Sequence, residues 1–175
     1  MWDRLVEYLV FIDGFTLGLN ILALCLYVMF VRFNTAFVLI VASGVALDLF
    51  HQILKIYLKS LFHFTEYLHL INVAWYLSFA ITDLIFIAAM LHVIKTKNLI
   101  RDRASDLMLV GYMALACLQV FRYTDRIAIG TDVLGPFYST GVVMINVTVS
   151  CVLLLHALRS IYVTTGSKVA WLINR

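Results

Sequence analysis

Long apolar runs alternate with short polar stretches along the whole chain. Five runs, at residues 8–30, 35–54, 70–91, 107–127 and 136–158, are almost unbroken in leucine, isoleucine, valine, phenylalanine and alanine. Each has the ~20 residues that a helix needs to cross roughly 30 Å of hydrocarbon. The pattern predicts an all-α integral membrane protein: five transmembrane helices forming one bundle and one domain over residues 1–175. The connections are short. Phe33 and Asn34 make the first, KIYLKSLFHFTEY the second, KTKNLIRDRASD the third and GTDVLG the fourth. Pro136 suits the first turn of the last helix, where its missing N–H leaves nothing unsatisfied. The tail SKVAWLINR is expected at the interface, with Trp171 as an anchor.

Composition narrows the class further. Hydrophobic residues make up 63% of the chain and charged residues 13%, against about 45–50% and ~25% in soluble domains. A net charge of +3 is too small to point to nucleic acid. The start, MWDRLVE, mixes Asp3 and Glu7 with Arg4 and lacks the basic opening and small-residue cleavage site of a secretory signal. The first apolar run is therefore read as a retained span. Cys25, Cys117 and Cys151 all fall inside apolar runs without a CxxC spacing, and are read as small core hydrophobes. No internal repeat or low-complexity tract is visible.

Lysine and arginine set the direction of insertion. One side collects Arg32, Lys95, Lys97, Arg101, Arg103, Arg159, Lys168 and Arg175, and the other Arg4, Lys55, Lys59, Arg122 and Arg126. The richer side is expected in the cytoplasm. This puts the N-terminus outside and the C-terminus inside, in the cell membrane. The basic third connection is read as an anchor to anionic lipid.

Polar residues within the spans each need an account, because a charge at the bilayer centre costs at least ~2.5–3.5 kcal/mol on insertion scales. Asp13, Thr16 and Asn20 share one face of the first helix by their spacing of three and four. Gly44, Asp48, His51 and Lys55 form a stripe on the second, and Asn72, Tyr76 and Asp83 one on the third. The fourth carries Gln119, Arg122 and Arg126, and the fifth Ser139, Asn146 and Ser150. At 1.5 Å per residue, Asp13, Asp48, His51, Asn72, Tyr76 and Arg122 fall at similar levels in the outer half. Arg122 is expected to meet Asp13 or Asp48 inside the bundle, or else to reach the headgroups with Asp125 in water. Asp83 is deeper, with Asn20, Asn146 and Ser150 as its nearest polar company and no cation at its depth.

Such a cluster supports three readings. It can be an ion-pair network that fixes helix register. It can be a wet cavity for an ion, a proton or a small solute, with a relay from Asp48 and His51 to Asp83. Or Arg122 and Arg126 can simply reach the headgroups. His92 and His156 share a depth near the inner ends of the third and fifth helices, so a haem between them is a further alternative. A metal site is not expected. His63 and Glu66 lack a third ligand, and no HxxxH occurs. Asn146-Val147-Thr148 fits a glycosylation sequon but falls inside the fifth span. No nucleophile elbow, phosphate loop or paired-carboxylate site is present, so enzymatic turnover and a cofactor are not expected.

The leading expectation is a small, oligomeric, ion- or proton-conducting component, with Asp13, Asn20, Asp48, His51, Asn72, Tyr76, Asp83, Arg122 and Asn146 forming its polar site. The rival is a non-catalytic structural or regulatory subunit of a larger membrane complex. Its partners would be lipid, further copies of the chain or other membrane subunits, and no nucleic acid.

Overall fold

The computed structural model describes the backbone of residues 2–31 and 35–173, and the side chains of residues 14–31 and 35–166. The described residues are helical with short connections and contain no strand. The elements are α1 (Trp2–Phe30), α2 (Ala36–Leu61), α3 (Leu68–Thr96), α4 (Arg103–Tyr123) and α5 (Gly135–Ile173). A 3₁₀ turn, Thr65–Tyr67, precedes α3, and a π turn, Thr124–Ile129, continues α4. Four stretches are long and apolar enough to cross a membrane: Ala36–Leu61, Thr65–Thr96, Arg103–Ile129 and Gly135–Gly166. In α1 the described apolar stretch is the shorter Gly14–Phe30. Asp13, the first connection at Phe33 and Asn34, and Trp171 lie outside the residues whose side chains are described.

Local chemistry explains the helix ends. Thr35 caps α2 by accepting from the Val38 N–H at 3.3 Å. Asp102 caps α4 by accepting from the Ser105 N–H at 2.9 Å and from its hydroxyl at 2.9 Å. Each cap satisfies amide donors that a helix start otherwise leaves orphaned. At the end of α3, Asn98 takes φ 51°, and the Leu99 N–H reaches back to the Ile94 carbonyl at 3.1 Å. This is a Schellman stop, with asparagine in the left-handed position that glycine usually fills.

Several helices run past the ends expected from sequence, α5 as far as Ile173. Nothing between Lys55 and Leu61 breaks a helix, so α2 runs on to Leu61 rather than ending near residue 54. Likewise α3 reaches Thr96 and α4 begins at Arg103, leaving only residues 97–102 as the third connection. Each extension shifts the midpoint of its helix, with consequences for the site.

The helices contact one another in chain order, α1 with α2, α2 with α3, α3 with α4 and α4 with α5, and α1 closes the circle on α5. One further contact, α2 with α4, crosses it. The interior differs between the two ends. Toward the α1–α2 and α3–α4 connections it is filled by Ala23, Phe37, Ile40, Val41, Met108, Leu153 and Ala157, each almost fully buried. Toward the other end the packing opens into a cavity. The outer flanks carry exposed apolar side chains such as Met29, Ile53, Ile85, Val110, Phe137, Met144 and Leu155. In water this much exposed apolar surface would drive aggregation.

The cysteines correct the sequence reading. All three are exposed free thiols. A thiol is apolar enough to face either a core or hydrocarbon, so an apolar neighbourhood in sequence does not discriminate between them.

Candidate functional site

The cavity measures about 140 Å³ and every one of the five helices contributes to its wall. Thr16 and Asn20 come from α1; Asp48, His51, Gln52 and Lys55 from α2; Trp75, Phe79 and Asp83 from α3. Helix α4 adds Met108, Gly111, Tyr112, Leu115 and Gln119, and α5 adds Tyr138, Val142, Ile145, Asn146, Val149 and Ser150. A polar space of this size holds several waters.

Two polar groups lie on the cavity wall, one around Asp48 and one around His51. The Tyr112 hydroxyl is 2.7 Å from Asp48 Oδ1 and 3.3 Å from the Gly44 carbonyl. The Asn20 amide donates to Asp48 Oδ2 at 3.4 Å. His51 Nε2 lies 2.7 Å from the Thr82 hydroxyl and 3.9 Å from Asp83 Oδ1. The Thr82 hydroxyl faces the Ser78 carbonyl at 2.8 Å and the Phe79 carbonyl at 3.0 Å. Its one proton is thus committed to the backbone, so its oxygen accepts from His51 Nε2–H. That fixes the neutral imidazole with its proton on Nε2 and leaves Nδ1 as the basic nitrogen. Phe79 holds the ring edge-on at 4.9 Å, and Trp75 packs at a tilt on Phe79 at 5.5 Å.

Two buried oxygens on this wall, Asn20 Oδ1 and Asp83 Oδ1, accept no hydrogen bond. Both residues are strongly buried, at 5% and 2% exposure. A buried acceptor left without a donor costs about 1–3 kcal/mol, more when charged. The two therefore mark where a donor or a positive charge belongs.

Of the residues picked from sequence, Asn20, Asp48, His51, Asp83 and Asn146 line this cavity. Asp83 is a correction. It is not isolated below the others but lies beside His51, the very group placed a level above it. The reason is the length of α2. Continuing the helix to Leu61 moves Asp48 and His51 to its middle, level with the middle of α3, where Asp83 sits.

Arg122 is the second correction. It is buried, at 6% exposure, but its described partners do not include Asp48, and Asp13 lies outside the residues whose side chains are described. Its Nη1 donates to Asp125 Oδ2 at 2.7 Å, and its Nη2 pairs with Asp132. Nor is Asp125 in water. It is buried, with the Leu134 N–H donating to it at 3.1 Å and the Thr131 hydroxyl bonding its other oxygen. The π turn accounts for this arrangement. Widening the backbone after Tyr123 carries Asp125 under the guanidinium three residues earlier, and Gly130, at φ 77°, closes the turn onto the Asp125 carbonyl. A Cβ at Gly135 would lie 3.2 Å from Asp132 Oδ1 and 3.3 Å from Arg122 Nη2, so this ion pair would have to shift slightly to admit one.

Asn72 and Tyr76 are buried on α3 but do not line the cavity. The Tyr76 hydroxyl accepts from Arg126 Nη1 at 3.2 Å, and its ring meets Tyr138 edge-on at 6.1 Å. His92 and His156 are not brought together. His92 is exposed on α3, and His156 on α5 is turned to α1 and α2. His156 stacks at 5.9 Å on Tyr27 and at 4.9 Å on Phe37, with Asp102 3.7 Å away. A haem between the two histidines does not fit. Among the described residues no cluster of three histidine, cysteine or carboxylate side chains could hold a metal ion.

Sequence reasoning missed Tyr112, Thr82, Thr131 and Asp132. Tyr112 had a faint signal, a single phenol directly after Gly111 in an otherwise apolar run. No family model, curated protein or solved structure matches this chain.

Proposed function

We propose that this is a small multi-pass protein of the cell membrane, a five-helix bundle that takes up a cation or proton into its cavity and passes it on as an ion- or proton-conducting component. The observation that carries this reading is the convergence of five helices on one polar space holding two carboxylates, Asp48 and Asp83, and a histidine. Ionisable groups within spans are rare because each is costly, so a concentration of them around a cavity points to transport. In this reading the N-terminus and the cavity end face outside and the basic third connection faces the cytoplasm. A proton would enter at Asp48, pass by His51 Nδ1 and ring reorientation, and rest on Asp83. Because a single chain encloses so small a space, we assign it to a self-associating assembly.

The test is proton flux into proteoliposomes containing the purified chain and a trapped pH dye. Asp83→Asn and Asp48→Asn should each reduce flux to that of protein-free vesicles. Flux unchanged in both variants would remove the proposal.

A second reading, a non-catalytic subunit of a larger membrane complex, draws on the other charge cluster. Arg122, Asp125 and Asp132 are consumed in holding the α4–α5 connection, and so behave as structure. Co-purification of a stoichiometric second membrane protein, with no flux from the chain alone, would favour it.

A further inference from the structure

The proposed uptake of a cation leaves open which cation the cavity suits, and the walls carry that information. Resting on that reading, we infer that the cavity binds a small organic ammonium ion, of the size of methylammonium or ethylammonium.

Three observations converge. The unpartnered, deeply buried oxygens of Asn20 and Asp83 require donors, and an ammonium presents several N–H groups at once. Asp48 is already bonded on both oxygens, to Tyr112 and Asn20, so it supplies charge and orientation rather than a vacant site. Beside these carboxylates the lining is aromatic: Phe79 and Trp75, one and two turns before Asp83 on α3, pack together at a tilt, and Phe79 also meets His51 edge-on. Ring faces attract a cation that has shed its water, most strongly away from solvent.

A bare metal ion fits this lining poorly. It asks for six or so oxygens in a tight shell, and the described residues offer no group of three histidine, cysteine or carboxylate side chains. An alkylammonium uses both kinds of wall, the nitrogen on the carboxylate side and the carbon against the rings. Size permits it: at about 30 Å³ for each water-sized group, the cavity of about 140 Å³ takes roughly four or five, enough for either ion with a water or two beside it.

The experiment is isothermal titration of the full chain in lipid nanodiscs with methylammonium, ethylammonium and sodium, beside the proteoliposome flux assay. We expect saturable binding of both ammonium ions and none of sodium at the same concentration. Asp83→Asn should weaken binding about tenfold or more through loss of a charge-assisted bond. Phe79→Leu, which keeps apolar bulk and removes the ring face, should weaken it about threefold to tenfold. Thermal unfolding of each variant checks that it folds, and Trp75→Leu replaces Phe79→Leu should the latter fail. Sodium binding as tightly as methylammonium, or ammonium binding indifferent to Asp83→Asn, overturns the inference. Absence of ammonium binding with flux still dependent on Asp83 overturns it and leaves the uptake reading standing. Absence of both removes the two together.

Discussion

Two glycines, Gly44 and Gly111, stand where helices approach closely, and their neighbours differ in a way that sets the cost of a methyl group. A Cβ at Gly44 would run into the end of the Met108 side chain and lie 3.3 Å from the Tyr112 hydroxyl. Met108 is flexible and its terminal carbon can swing aside. A Cβ at Gly111 would lie 2.6 Å from Val149 Cγ2, and a β-branched valine on a helix has essentially one rotamer. Gly111→Ala must therefore push α4 from α5, costing about 1–3 kcal/mol in overpacking, which exceeds the ~0.5–1 kcal/mol gained in helix propensity. Thermal unfolding in one detergent should rank Gly111→Ala well below the parent and Gly44→Ala between them. The reverse ranking would mean that the α4–α5 contact is looser than described. At this scale the sequence was informative about Asp48, His51 and Asn20, because helical spacing alone puts them on inward stripes. It was silent about Tyr112, since a phenol in an apolar run is indistinguishable from any other bulky hydrophobe until its hydroxyl meets a carboxylate.

Among elements, the α4–α5 connection shows how charges deep in a span can be purely local in their use. Arg122 is buried between Asp125 on one side and Asp132 on the other. Asp125 also ties Thr131 and the Leu134 amide, whereas the side chain of Asp132 is 75% exposed. The two carboxylates are thus unequal partners. Removing Asp125 deprives a buried guanidinium of its buried partner and strands two groups of the turn, while removing Asp132 removes a solvated one. Asp125→Asn should lower the unfolding temperature clearly more than Asp132→Asn, and Arg122→Met should lower it by roughly 5 °C or more. In the double variant Arg122→Met/Asp125→Asn the losses should be less than additive, as for residues in one network. Additive losses would show that the pair does not interact. The positions of α1–α5 were legible from hydropathy, because a membrane-length apolar run has few alternative fates. The helix ends were not. Charged residues such as Lys55 and Lys59 look like connection in a hydropathy profile, yet nothing in them stops a helix. That misjudged boundary is what displaced Asp83 from His51 in the sequence reading, and the π turn that pairs Arg122 with Asp125 leaves no sequence mark at all.

For the molecule as a whole, the decisive question is what the outward-facing apolar belt touches, and the chain carries its own probes. Cys25 on α1, Cys117 on α4 and Cys151 on α5 are the three cysteines of the sequence, and all are exposed on the flanks of apolar helices. A thiol reacts with maleimide as the thiolate, and hydrocarbon both suppresses ionisation and excludes a charged reagent. Intact membranes treated with a sulfonated maleimide should leave all three unlabelled, and the same sample dissolved in SDS should gain three labels by mass. Rapid labelling before SDS would put those flanks in water and take the transmembrane reading with it. The unlabelled background then permits orientation to be read from one added thiol at a time. Ser60→Cys, near the α2–α3 connection, should label in intact cells. Asn98→Cys, in the α3–α4 connection, should label only after permeabilisation. If the two behave oppositely the cavity opens toward the cytoplasm, and the direction of cation uptake, though not the chemistry of the walls, reverses.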